Sequence, residues 1–515
     1  MYTNFKMVFV LLAAGILTIF LVAVSCLVLY ARWNYGKLEK MGIPIVKPHF
    51  LLGSTYDLFK KAPPVQDVEW FNKMGGIFGV YEGRDPQLFI CDPELIRLIT
   101  VKDSQYFDAK RRLEFNDPML NEMPDFLPGE KWRVVRSTAT PAFSSSKIKL
   151  MNMPMIEATQ DFIRDIDENM KTSKTPEKLE KVAVDELLCA MLTDLVIRSC
   201  FSIKIGDRFN QNNPYHKLVR DLMSPPALKY PSIVSWTYTF PFLLKLLPGT
   251  LLSPPAGKDF VQVFKGIMEQ RRKSGQKFND VVDLCNEWQD KLGTEEMKKH
   301  NVTENTIMCE ALIFFWVGQD QMSTIMSTMF YHLAKNPEIE KKLLKELSIV
   351  FEKNNGVVDH EHLSELPYLL SCIKEASRLH PYFYRTERVC TKPWKNEQFG
   401  LNIPKGMTIQ IPIWAANRHP DYFEEPEKFM PERFMPENKD KLHPYALSTF
   451  GFGPRKCPGE RFAMETMHLV SAYLLKDLKF ELRADSELKF KPVGPWMFAP
   501  HEPVYMDLLK REKKS

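Results

Sequence analysis

Ten residues near the C-terminus of this 515-residue chain constrain it most: Phe450-Gly451-Phe452-Gly453-Pro454-Arg455-Lys456-Cys457-Pro458-Gly459. They present one cysteine on a glycine-punctuated loop, just before a helical run over residues 461–475. Glycine lets the backbone turn sharply and approach a flat partner. A cysteine near a helix start meets backbone N–H donors and the positive end of the helix dipole, both of which favour its thiolate. The ordinary fate of a lone cysteine is a buried structural thiol. Five specified residue types at fixed offsets, however, recur by chance in only ~1 chain in 10⁴. The pattern therefore points to a ligand, of the kind that donates electron density to a haem iron.

Other segments accompany this loop in a fixed order. Trp132-Arg133-Val134-Val135-Arg136 puts an indole and a guanidinium four residues apart on one helix face. Glu375-Ala376-Ser377-Arg378 puts an acid and a base three apart, and Pro431-Glu432-Arg433-Phe434 follows. An E-x-x-R alone occurs about once by chance in a chain of this size. The set, with Gly129-Glu130-Lys131, Thr140-Pro141-Ala142-Phe143-Ser144-Ser145 and Ile403-Pro404-Lys405-Gly406, resembles the cytochrome P450 family from roughly residue 40 to the C-terminus. The resemblance is to the animal microsomal, detoxifying branch that also contains thromboxane synthase.

The resemblance implies an α-rich α+β fold, a helical bulk with small β-sheets behind an N-terminal transmembrane helix. It implies haem b with Cys457 as axial ligand in a loop shaped by Phe450, Gly453 and Gly459. Trp132, Arg136, Arg388 and Arg455 would hold the haem propionates, with Arg385 a second choice beside Arg388. Glu375, Arg378 and Arg433 would form a structural triad that anchors the cysteine loop.

The longest helix should start near Thr303, a residue suited to capping, and end at Asn336 before Pro337. Residues 311–317 are apolar on every face, so this part must be buried. Asp320 then places a carboxylate within a buried helix, which requires a partner or a function. In the family this is the distal helix, where a small residue and a glycine make room for dioxygen and an acid–alcohol pair delivers protons. Here the segment reads Val317-Gly318-Gln319-Asp320-Gln321. Asp320, Gln321 and Gly318 are the candidate catalytic residues, but the threonine is absent. An amide can orient water but cannot relay a proton by the donor–acceptor exchange of a hydroxyl. Val317 should also narrow the oxygen site.

Residues 7–30 carry no charge. At 1.5 Å per residue they reach about 36 Å, enough for a hydrocarbon core of ~30 Å. Arg32, Lys37 and Lys40 follow them and only Lys6 precedes, so the C-terminal side faces the cytosol. Three parts result: an anchor (1–31), a proline-punctuated linker (32–49) and a catalytic domain (50–515). The apolar, proline-rich region 223–255 reads as a membrane-dipping flap. A net charge of +5 is too small for a nucleic-acid binder of this length. Nine scattered cysteines without a C-x-x-C fit a reducing compartment, and His360 and His362 read as solvated.

The expected enzyme is an endoplasmic-reticulum, single-pass monooxygenase acting on lipophilic compounds from the cytosolic face. Its electrons would come from NADPH through cytochrome P450 reductase, docking where Lys131, Arg133 and Lys456 cluster, with cytochrome b5 a further candidate donor. The alternative, because of Gln321, is an isomerase or dehydratase of peroxides resembling thromboxane synthase. A haem-binding sequestrant or sensor is the third reading.

Overall fold

A small mixed sheet and a large helical body divide the chain. The computed structural model describes residues 2–205, 213–222, 236–248, 256–492, 497–500 and 502–511. Expectations for the region 223–255 thus fall outside the described residues except at 236–248, and the Val317 side chain also falls outside them.

The four-stranded sheet runs in the order Ile77–Glu82, Asp85–Ile90, Thr408–Ile411, Thr386–Val389. Its first pair is an antiparallel hairpin, with Val80 opposite Gln87. The second pair is parallel, with Leu88 opposite Ile409, and the third antiparallel, with Arg388 opposite Ile409. The hairpin turn contains Gly83 at φ +61°, where a Cβ would come within 2.4 Å of the Tyr238 backbone. A side chain there is excluded by both conformation and space.

The helical body is built around Glu304–Lys335, which packs on Val184–Phe201, Val281–Lys291, Pro367–Leu379 and Glu460–Asp477. Thr303 caps it by accepting from the Thr306 N–H, while the Thr306 hydroxyl accepts from the Thr303 N–H. Ala311, Leu312, Phe314 and Phe315 are buried, so the apolar run is core, not membrane. A second sheet, Lys178–Ala183, Tyr505–Lys510, Leu478–Leu482, closes the far side.

The N-terminal helix, Tyr2–Arg32, contains the apolar stretch Phe9–Arg32, whose most apolar window has mean hydropathy 2.7 and is not buried by the protein. Large apolar side chains exposed on all sides fit lipid, not water. Its end is attached: Tyr30 stacks on Phe240 at 5.8 Å, and the Arg84 guanidinium lies 3.8 Å from the Tyr30 ring centroid.

The linker is also docked. Val46 N–H donates to the Gly79 carbonyl at 2.9 Å, Gly79 N–H donates to Pro44 at 2.8 Å, and Leu38 N–H donates to the Tyr81 hydroxyl at 3.1 Å. A Cβ on Gly79 would stand 3.0 Å from Leu38 and 3.1 Å from Ile45, so glycine permits this close docking.

Deleting residues 1–31 should release most of the protein from membranes. Exposed Trp236, Phe242 and Leu246 should retain a minor fraction. Fractionation of both chains checks this, and full-length protein recovered wholly in the soluble fraction would contradict the anchor.

Two half-buried histidines supply a pH dependence. His332 Nε2 and His380 Nε2 lie 2.8 Å apart, and the rings stack on Phe429 and Phe490 respectively. Burial, then Lys335 and Arg378, pulls His332 down to about 4. Burial, then His332, Arg418 and Arg378, pulls His380 well below the ordinary range. With folded values depressed, their contribution to stability is complete above about 6.5 and is lost as pH falls towards the folded values, because the unfolded chain binds protons first. Melting temperature should fall between pH 7 and pH 4.5, and fall less in His332→Gln. Identical acid sensitivity of the two proteins would assign the loss to other groups.

Candidate active site

The cysteine loop is closed by its own backbone. Cys457 N–H donates to the Phe450 carbonyl at 2.9 Å, and Lys456 N–H to the Gly453 carbonyl at 3.0 Å. Gly453 sits at φ +71°, and a Cβ there would lie 1.7 Å from the Thr100 carbonyl, so no other residue fits. Gly459 is different: it precedes the helix Glu460–Asp477 at φ −89°, and a Cβ would meet only the Phe143 ring at 3.5 Å, an ordinary contact.

The expected thiolate is not favoured by this environment alone. Burial pushes the Cys457 thiol up to about 11, and the hydrogen bond from Gly459 and the charge of Arg136 recover only part of that. Desolvation outweighs the helix start. A Lewis-acidic cation on sulfur is what would remove the proton at neutral pH.

Around the loop lies a set of cations short of anions. Trp132 and Arg136 come from the helix Gly129–Ala139. The Arg455 guanidinium stacks 3.7 Å from the Trp132 ring centroid, and its Nε donates to the Asp108 carbonyl at 2.9 Å. Nη1 and Nη2 of Arg455 are buried without a hydrogen-bond partner. Arg388 is 2% exposed and uses backbone carbonyls, donating to Glu387 at 2.7 Å and Phe452 at 3.3 Å. Burial pulls both arginines down to about 10, and Arg388 depresses Arg455 further. Asp125 is the carboxylate that acts on both, and it already pairs with Lys110 at 2.6 Å. Arg136 donates to the Lys456 carbonyl at 2.8 Å and is likewise lowered by burial. Orphaned guanidinium donors beside a half-buried thiol suit a ligand carrying a metal and carboxylates. Arg385 is committed elsewhere: it pairs with Asp67 at 2.6 Å through Nε and with Glu82 at 3.3 Å.

Glu375 and Arg378, both fully buried, bond at 2.8 and 2.9 Å, and Arg433 approaches Glu375 at 3.4 Å. Arg378 also donates to the carbonyls of Asn417 and Pro426 at 3.0 and 2.7 Å. Asn417 in turn accepts from the Ser448 N–H at 3.1 Å, and the Thr449 hydroxyl donates to the Ser377 carbonyl at 3.2 Å. The helix is thereby tied to the residues that enter the cysteine loop. No sequence pattern singles out Asn417; it is found only through the contacts it bridges.

On the long helix, Asp320 faces a phenol, not a cation. The Tyr382 hydroxyl donates to its carboxylate, and burial, opposed by that hydrogen bond, raises the acid. Gln321 is half-buried. A Cβ on Gly318 would meet only Met322 and Val196, at 3.7 and 3.9 Å, so an alanine would fit.

Three expectations about charged residues are corrected. Lys131 turns inward to Glu122 at 2.6 Å, Arg133 pairs with Asp108 and Glu130, and Lys456 pairs with Glu460, so these cations are neutralised and not a free cluster. His360 bonds Glu465 at 2.6 Å, and His362 bonds Asp359 at 2.7 Å, completing a capping box on His360–Glu365. Neither histidine is merely solvated.

A half-buried cysteine on a glycine loop, flanked by arginines of which Arg455 has unpartnered guanidinium nitrogens, and anchored to a buried Glu–Arg pair, defines a haem-thiolate protein. The sequence model of the cytochrome P450 family matches residues 43–506, and the chain belongs to that family of monooxygenases. Cytochrome P450 3A56 of Fundulus heteroclitus is 31% identical over 505 residues, 97% of this chain and 99% of that one. Cytochrome P450 3A40 of Oryzias latipes is 30% identical over 512 residues, 98% and 99% of the two chains. Cytochrome P450 3A7 of Homo sapiens is 28% identical over 497 residues, 96% of each. The orphaned donors of Arg455 fit the family's cofactor.

Proposed function

We propose that this chain is a membrane-anchored monooxygenase that oxidises lipophilic compounds with electrons from NADPH, delivered by cytochrome P450 reductase. The observation that carries the reading is the Cys457 loop with the uncompensated guanidinium of Arg455. Haem, when bound, supplies the activation of dioxygen. Cys457 would hold the iron, and Trp132, Arg136, Arg388 and Arg455 would hold the propionates. Glu375, Arg378 and Arg433 hold the loop, and Asp320, its acid raised by desolvation and bonded by Tyr382, is the group on the long helix suited to passing protons.

The apolar helix Phe9–Arg32 and the exposed aromatic residues near it support an endoplasmic-reticulum location, with the body in the cytosol and substrate entering from lipid. Reductase docks on the cysteine-loop side, with cytochrome b5 as an alternative donor. Because Lys131, Arg133 and Lys456 are each neutralised by their own carboxylates, docking there depends on shape as well as charge.

A second reading, rearrangement of peroxides without external electrons, is favoured by the amide of Gln321 where the family has a hydroxyl. One experiment separates the two: NADPH-dependent product formation with reductase and a lipophilic panel, beside turnover of an organic hydroperoxide without NADPH. In the monooxygenase, Gln321→Thr should raise the fraction of NADPH electrons recovered in product. In an isomerase it should leave hydroperoxide turnover unchanged. Equal, tight coupling in wild type and Gln321→Thr would show that position 321 limits nothing.

A further inference from the structure

The hydroxyl missing at position 321 is present elsewhere against the same carboxylate. Tyr382 lies 62 residues further along the chain, 3% exposed, between the helix Pro367–Leu379 and the strand Thr386–Val389. Its backbone is held in place: the Tyr382 carbonyl accepts from Phe498 N–H at 2.7 Å, and Phe383 bridges to Met497. Its ring stands edge-on to Phe383 at 5.5 Å. From this position the phenol donates to Asp320 Oδ2.

The surroundings of Asp320 make that bond important. The titratable groups facing it are Tyr382 and, from the helix Val184–Phe201, Cys189. No cation is recorded against it among the described residues. A desolvated, half-buried carboxylate without a cation depends on hydrogen-bond donors, and the phenol is its side-chain donor here. A phenol both donates and accepts, as the family's alcohol does, whereas the amide of Gln321 has no single atom that does both.

We propose that Tyr382 is a positioning residue for oxygenation: its hydroxyl takes over, on Asp320, the part left vacant by Gln321, and fixes the carboxyl from which protons enter the pocket. This rests on the monooxygenase reading above. Each proton leaving the carboxyl is replaced from water. The phenol keeps its own, because burial and the adjoining carboxylate both oppose its ionisation.

Full-length Tyr382→Phe, Asp320→Asn and the double variant, with reductase in membranes, test the assignment. Tyr382→Phe should lower product formation about 10-fold, less than the ~10²–10⁴-fold of a complete acid–base contribution. Its pH profile should move upward, because the acid loses the donor that opposes burial. Adding Tyr382→Phe to Asp320→Asn should cost nothing further. A second readout needs no turnover: the infrared carboxyl band that disappears in Asp320→Asn should shift to higher frequency in Tyr382→Phe. In Asp320→Asn the tyrosine C–O band should shift as well, which reports the same contact in a variant that leaves Tyr382 intact. Unmoved bands, or losses that add in the double variant, would overturn the assignment. NADPH-dependent product from wild type with an unchanged Tyr382→Phe would overturn Tyr382 alone. No such product from wild type would overturn the monooxygenase reading and this role with it.

Discussion

Cys457→His should abolish the red-shifted Soret band that reduced wild-type protein shows with carbon monoxide, even where the variant keeps its haem. Imidazole is neutral as a ligand and donates less charge than a thiolate, so the spectrum reports which atom holds the iron. The arginines that fit the propionates are independent of this side chain, so haem content should fall less than the spectral signature. The variant should form no product from NADPH. An unchanged band in Cys457→His would remove the central claim about this loop.

Arg378→Met should be nearly as damaging, by a different route. Arg378 and Glu375 are both 0% exposed, and removing one member of a buried ion pair costs about 3–5 kcal/mol. That is a large share of a domain's usual ~5–15 kcal/mol. The loss would be compounded at the carbonyls of Asn417 and Pro426, which Arg378 also satisfies. The expected result is little folded, haem-containing protein and a strongly lowered melting temperature in what remains. Lys149→Met is the control, since its pair with Glu361 is exposed on both sides and screened by solvent. Equal melting temperatures for Arg378→Met and the control would show that the buried pair does not hold the loop.

Local chemistry made much of this protein legible in its sequence. The cap at Thr303 and the stop at Pro337 delimit the long helix. The cysteine loop is legible because its glycines are set by backbone space, as Gly453 against Thr100 shows. What was not legible depends on contacts between distant segments. Tyr382 meets Asp320 across 62 residues, and Asn417 links Arg378 to Ser448. Charge was misread for the same reason: Lys131, Arg133 and Lys456 are basic in composition but neutralised by neighbours that folding supplies.

On the membrane-anchored function proposed above, the docked linker would decide how this enzyme meets other proteins in the bilayer. A body on a loose tether would rotate freely above its anchor and present every face to a passing partner. Here Tyr30 is stacked on Phe240, Leu38 is bonded to Tyr81, and Val46 is paired with Gly79. Those three attachments turn the anchor into a fixed axle, so collisions become a two-dimensional search with the tilt already chosen. Under that proposal, a redox partner diffusing in the same plane would meet a body whose attitude to the lipid is already set.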